Sequence, residues 1–506
     1  MRFMLRTFTI ATIVATLVLT LAWSGEAAAE DLYAGPDDYR SVLSSLAPGD
    51  TLHLEAGTYT DLLPVSGLHG AADAWITITG PQTGEPAVFL ADPGPCCNTV
   101  EITDSSYLAI ENLTIDGNGV GGAFGVSAKN GTSNLVHHVR IEGCTFVGHD
   151  AHQYTVAIST KTPTWGWVIR GNVIDGAGTG MYLGNSDGTS PFIAGVIEHN
   201  MVTDTIGYNV QVKWQQPRPD VAGMPTGPSS TVIRHNVFIK TDRPSDVGDR
   251  PNLLVGGFPD SGPGSEDRYE IYGNLFYHNP RESLIQCSGR VTIHDNVFVD
   301  VAGRAIALQD HDLPLRQAFV YHNTIYSASR GVSVSGSLDQ GCHVVGNLVF
   351  ADTPVSASGC ESSDNMTGDV VAAASYVVDP STELGAMDFY PLAGQCQGPP
   401  VDVTAFAADM DHDLDFNGTQ RTGFTFRGAY AGEGTNPGWP LSESIKTETP
   451  ATPPDDPTPE TPPETGPDAP PDVPPDAFTD APDDASGDPA SPAASSSSAC
   501  GCTLVG

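Results

Sequence analysis

Five polar side chains stand close together in the middle of this sequence: Tyr182, Asn209, Gln211, Lys213 and Asn252. They interrupt short segments whose other outward positions are mostly glycine, serine and alanine, such as residues 125–129, 155–159 and 331–335. Four arginines, Arg250, Arg281, Arg304 and Arg330, recur just ahead of four successive segments. A guanidinium grips a carboxylate or sulfate in a planar fork, and a tyrosine ring offers its face to a sugar. A floor of small residues leaves room for a chain to lie flat above it. Together these groups suit a linear polymer that carries acidic substituents. The competing reading ties the arginines to nearby acids, Asp249, Glu282 and Asp310.

The elements that must hold these groups announce themselves as a repeat. Short apolar runs surround an Asn in Glu111-Asn112-Leu113-Thr114-Ile115, Arg170-Gly171-Asn172-Val173-Ile174 and Glu198-His199-Asn200-Met201-Val202. The phrase returns at Asn236, Asn274, Asn296, Asn323 and Asn347, with Cys144 in the Asn place of one copy. Successive spacings from Asn112 to Asn347 are 32, 28, 28, 36, 38, 22, 27 and 24 residues. Self-similarity on this scale marks a solenoid, and the spacings of 36 and 38 mark insertions. Each Asn is read as structural: its amide can bond neighbouring backbone at a tight bend, and it tolerates a left-handed φ.

A second strand follows each phrase. Alternation turns Val210 with Val212, and Ile306 with Leu308, inward, and sends Asn209, Gln211, Lys213 and Asn252 to solvent. Helical signals are nearly absent apart from residues 39–46, read as a cap over the first coil.

Composition bounds the rest. Residues 1–29 read as a secretory signal: Arg2 and Arg6, a short apolar run, then Ala27-Ala28-Ala29. Residues 441–498 are Pro, Asp, Glu, Thr, Ser and Ala, a composition that favours an extended disordered stalk. The formal charge is −39, of which the segment from Leu441 onward contributes −12, so the body is acidic on its own account. Nucleic acid is excluded as a partner for want of clustered Lys and Arg. No later run is apolar enough to span a membrane. The expected protein is a monomer, secreted or held at the cell surface. Nine cysteines in an exported chain imply disulfides, with Cys342–Cys360 the preferred pair. Residues 30–440 are read as one domain, and Cys500 and Cys502 lie beyond the stalk as candidate anchoring points.

The residues carry a resemblance. Leu46-Ala47-Pro48-Gly49-Asp50-Thr51-Leu52-His53-Leu54, then Gly57-Thr58-Tyr59, resembles the opening of pectate-lyase-like right-handed parallel β-helix proteins. Within that superfamily the chain looks nearest to the chondroitinase B and alginate lyase family. The resemblance implies an all-β solenoid and an acidic polysaccharide substrate. It also implies catalysis by Lys213, matched to the family's proton-abstracting lysine, with Arg250 as its arginine partner. Tyr182, Asn209, Gln211, Asn252, Arg281 and Arg304 would then contact sugar. The family's calcium-ligating glutamates have no counterpart, since the matching positions are Ile206 and Tyr208, so no metal ligand is assigned. Arg218, Arg250 or His235 would have to supply the missing positive charge. Ca²⁺ enters only through the alternating acids Asp409, Asp411, Asp413 and Asp415, which sit in a phrase resembling the closing turn of exported β-helix proteins.

Two functions follow as expectations. The first is β-elimination on a uronate-containing polymer. The second is a non-catalytic carbohydrate-binding or adhesion module on the cell surface. A hydrolase would need paired acids, and only Asp310 and Asp312 offer themselves.

Overall fold

In a computed structural model the chain is described over residues 29–93, 98–129 and 135–447. The signal segment, Cys96 and Cys97, the stalk beyond Thr447, and Cys500 with Cys502 lie outside the described residues. Coil after coil stacks in parallel register into three faces, a right-handed parallel β-helix. The first face includes Val136–Glu142, Val196–Glu198, Ser230–Arg234 and Arg268–Tyr272. Across a corner lies the second, with Val173–Ala177, Met201–Thr205, Val237–Ile239 and Leu275–Asn279. The third holds Val156–Thr160, Thr179–Leu183, Val210–Val212, Leu253–Val255, Ile285–Cys287 and Arg304–Gln309.

Inward positions are aliphatic and aromatic, and they align from coil to coil. Val210, Val212, Ile306 and Leu308 have no exposure, as alternation requires. Phe238, Phe276 and Phe298 stack at 5.2 and 4.9 Å. The helix Tyr39–Leu43 closes the first coil, with Tyr39 edge-on to Tyr59 and Phe89. Cys342 and Cys360 are joined, and Cys144, Cys287 and Cys396 are buried free thiols.

The repeated Asn builds the corner between the first and second faces. Asn172 Nδ2 donates to Asn200 Oδ1, Asn200 to Asn236, and the chain of amides continues through Asn274, Asn296, Asn323 and Asn347 to Asn365, each at 2.9–3.0 Å. Each amide also reaches back to a backbone carbonyl, as Asn274 does to Ile233 and Tyr272. The left-handed turn belongs to the residue before the Asn, a correction to the sequence reading. Gly171, His199, His235, Gly273, Asp295 and His322 have φ between 51° and 66°. Asn112 has φ 55° and occupies this preceding column; Leu113 takes the ladder place in its coil.

Two acids of the 409–415 phrase are spent on the body and two, Asp413 and Asp415, on the turn itself. Asp409 binds Arg268 and Asp411 accepts from Tyr272, while Asp415 receives backbone N–H groups of Asn417, Thr419 and Ala431. Arg421 pairs with buried Asp295. Beyond this turn Leu441 and Lys446 are still buried. Lys446 Nζ donates to the carbonyls of Gly273 and Phe416 beside the ladder corner, and its own carbonyl contacts His199. Burial holds the Lys446 ammonium down at about 7.

Asn274→Ala would orphan the backbone N–H of Asn236 and withdraw the amide from the carbonyls of Ile233 and Tyr272, of which Tyr272 keeps the N–H of His235. Denaturant unfolding of the full chain is expected to show a loss of about 2–4 kcal/mol, from several buried groups left unpaired.

Candidate functional site

The third face is a trough between two walls made by the insertions. One wall is the loop of residues 241–251, at the corner shared with the second face. The other stands at the far edge of the trough, where Trp214 donates to the Ser186 carbonyl and Gln216 to that of Asp187.

Along the floor, register aligns Ser127, Ser159, Tyr182, Gln211, Leu254, Gln286 and Ala307 in one row. Two positions further along each strand, beside the second wall, runs a row that contains Lys129, Lys161, Gly184, Lys213 and Gly256. Sequence reasoning found only the last of these lysines, because Lys161 falls just past the segment aligned as residues 155–159. The signal was present: counted from the register partners Ser159 and Gln211, Lys161 and Lys213 hold the same place.

Lys129 is paired with Glu101 at 2.7 Å. Lys161 lies over the ring of Tyr182, Nζ 3.6 Å from its centre. Gly184 separates Lys161 from Lys213, and its absent side chain matters: at φ 93° a Cβ would sit 3.2 Å from the Cβ of Lys213. Burial, and then the charge of Lys213, hold the Lys161 ammonium down at about 8. Burial raises the Tyr182 hydroxyl well above its ordinary range. Asp312 is held below the usual carboxylate range, first by its bond to His311 and in smaller part by Lys213. Lys161 and Tyr182 are therefore in contact, and the charge of Lys213 is felt by both Lys161 and Asp312.

Several expected site residues are placed otherwise. Asn209 and Asn252 have no exposure; they belong to the turn that enters the strand, not to the strand's outward row. Asn209 Nδ2 is taken by Thr205 Oγ1 and the Ile239 carbonyl, and Asn252 accepts from Asn279. Both are structural. Gln211 faces the trough but is 5% exposed. The face of Tyr182 is already covered by Lys161. Arg250 lies six register positions before the place of Lys213, in the turn that enters its strand at the opposite edge of the face.

The four arginines do not form a continuous spine. Arg250 and Arg281 line one hollow at the corner, whereas Arg304 and Arg330 are register partners further on. Arg304 turns along its own strand to Gln309. The reading that acids absorb these arginines holds only loosely, for Arg281 and Asp249 at 3.9 Å. Arg218 is buried on Asp267, and His235 is buried at the ladder corner with its imidazolium strongly disfavoured. Neither reaches the trough. Asp310 caps the backbone of Leu315 and Ser337. The calcium implied by the resemblance finds no ligand set, since Ile206 is a buried aliphatic and, among the described residues, no three His, Cys, Asp or Glu converge on a point.

Solved structures with a similar chain path include pectate lyase Pel9A, at 12% identity and TM-score 0.49, over 80% of this chain and 97% of that one. An alginate lyase from Paenibacillus sp. str. FPU-7 aligns at 15% identity and TM-score 0.33, over 67% and 98% of the two chains. A GH136 lacto-N-biosidase from Eubacterium ramulus aligns at 13% and 0.39, over 67% and 68%. No family model and no curated protein matches the sequence. No helix among the described residues is long and apolar enough to cross a membrane.

Removing Lys213 takes one positive charge from the surroundings of Lys161. In Lys213→Ala the Lys161 pKa is expected to rise from about 8 toward the ordinary lysine value, with burial keeping part of the depression. NMR titration of ¹³C-methylated lysines checks this, and an unmoved Lys161 would contradict the coupling.

Proposed function

We propose that this protein acts on an acidic, uronate-containing polysaccharide at the cell surface or outside the cell, by β-elimination in the third-face trough. The observation that carries the reading is the pair Lys161 and Lys213, set on either side of Gly184 with Tyr182 beside them, in a protein of net charge −39. A polymer rich in carboxylate is repelled by most of this surface, and the lysine row offers it a place to settle.

The two lysines divide the work. Lys161, held at about 8, is partly neutral near physiological pH and takes the C5 proton of the uronate. Lys213 faces the carboxylate and offsets the charge that builds on it as the proton leaves. The C4–O bond then breaks, a C4=C5 double bond forms, and the glycosidic oxygen receives a proton from the Lys161 ammonium or from solvent. Lys161 takes here the role of base that the resemblance gives to Lys213, with Arg250 at the opposite edge of the face. No step is routed through a metal.

A binding module without chemistry is the second reading. It is favoured by the lodging of Lys161 against Tyr182, which suits a fixed charge as well as a mobile base.

Incubating the full chain with alginate, pectate, chondroitin and dermatan, and following ultraviolet absorbance of unsaturated uronate, separates the two. Elimination predicts a rise that is lost by at least ~10²-fold in Lys161→Ala and in Lys213→Ala. Its rate should climb as pH passes upward through about 8, because the base is the deprotonated amine. Retention on a polymer column with no new absorbance would move the function to the binding module.

A further inference from the structure

The corner between the second and third faces carries a second group of cations that the lysine row does not use. A shallow hollow, open to solvent, is lined by Lys240, Arg243, Asp249, Arg250, Asn279 and Arg281. Arg243 is spoken for, bound to Asp150 at 2.7 Å and Asp204 at 3.1 Å. The other three cations are not matched in this way. Lys240 is 5% exposed, and its ammonium donates only to the carbonyls of Gly207 and Arg250, at 2.7 and 3.1 Å. Arg250 donates to the Asp249 carbonyl and stands 5.8 Å from the Tyr208 ring, with no carboxylate in contact. Arg281 is 3.9 Å from Asp249 and otherwise touches the Asp242 carbonyl.

A lysine this deeply buried, with carbonyl partners alone, is costly to keep charged, and burial holds it at about 8. Acids outnumber bases by 61 to 22 in this chain, so carboxylates were plentiful as partners for these cations. The hollow has been left cationic, and one face of it is open.

We propose that Lys240, Arg250 and Arg281 form an oxyanion site, which takes one carboxylate or sulfate group of a polymer lying across the third face. The ammonium forms the base of the site and the two guanidinia its rim, a fork from either side. The site rests on the trough reading for its polymer, but its anion chemistry stands apart from it. Separated from the lysine row by the width of the face, it holds a charged group away from the sugar at the lysines. It therefore acts on placement of the polymer and not on the proton.

The test uses thermal unfolding of the full chain in sodium sulfate and in sodium glucuronate, each against sodium chloride at matched ionic strength. Either anion is expected to raise the midpoint by about 2 °C or more, and the one that does so names the substituent. The double substitution Arg250→Ala with Arg281→Ala should cut the rise to the general stabilisation that an excluded anion such as sulfate gives any folded protein, so the site is read as the difference between wild type and variant. Arg250→Gln with Arg281→Gln, which keeps side-chain bulk, serves if the alanine protein does not fold. Lys161→Ala should keep the rise, so a failure of the elimination chemistry leaves this result readable. No rise with either anion, or a rise as large in both double substitutions as in the wild type, overturns the site.

Discussion

A column of buried amides at one corner is the constraint on which the rest of this molecule depends. Each ladder Asn donates to the next and reaches back to a carbonyl of the first face. In a dry interior such bonds can neither be given up to water nor shifted by one residue without orphaning several groups together. The column therefore sets the register of every coil it joins. Once register is set there, residues at equal distance from the Asn must stack on the other faces, which is how Tyr182 comes to lie beside Gln211 and Lys161 in line with Lys213.

That dependence explains why the fold was legible in the sequence and the site only partly so. The Asn phrase recurs with its apolar flanks intact, so the solenoid, the inward valines and the Cys342–Cys360 bond could all be anticipated. Alternation then failed at the strand ends. Asn209 and Asn252 precede three-residue strands, and at that position the chain is still turning, so an Asn points inward to bond carbonyls instead of outward to sugar. Lys161 was missed because the segment aligned as residues 155–159 was set two residues early, since Ser127 pairs with Ser159 and not with Ala157. The left-handed residue of the main corner was also displaced by one, because Asn was credited with both the bend and the bond. The structure divides them between neighbours.

Charge is distributed with the same economy. Most basic groups are committed: Arg170 and Arg234 bracket Glu198 on the first face, Arg218 and Arg421 sit on buried aspartates, and Lys446 is sunk beside the ladder. Against that background the third face differs. It keeps Lys161 stacked on a ring and Arg250 on a backbone carbonyl, interactions that leave positive charge available in a protein otherwise dominated by acids. Fold does not dictate chemistry on a β-helix, but the place where Lys161 and Arg250 are held on a ring and a carbonyl is a physical statement about what the face is built to meet.

The seating of Lys446 has a bearing on orientation. In a three-sided solenoid, the corner between the first and second faces stands opposite the third. Lys446 is seated at that corner, on the far side of the body from the lysine row, and Glu443 meets Thr203 on the second face. A load pulled through this point acts on the back of the molecule, against a buried ammonium seated on two carbonyls, and turns the open trough away from the direction of the pull.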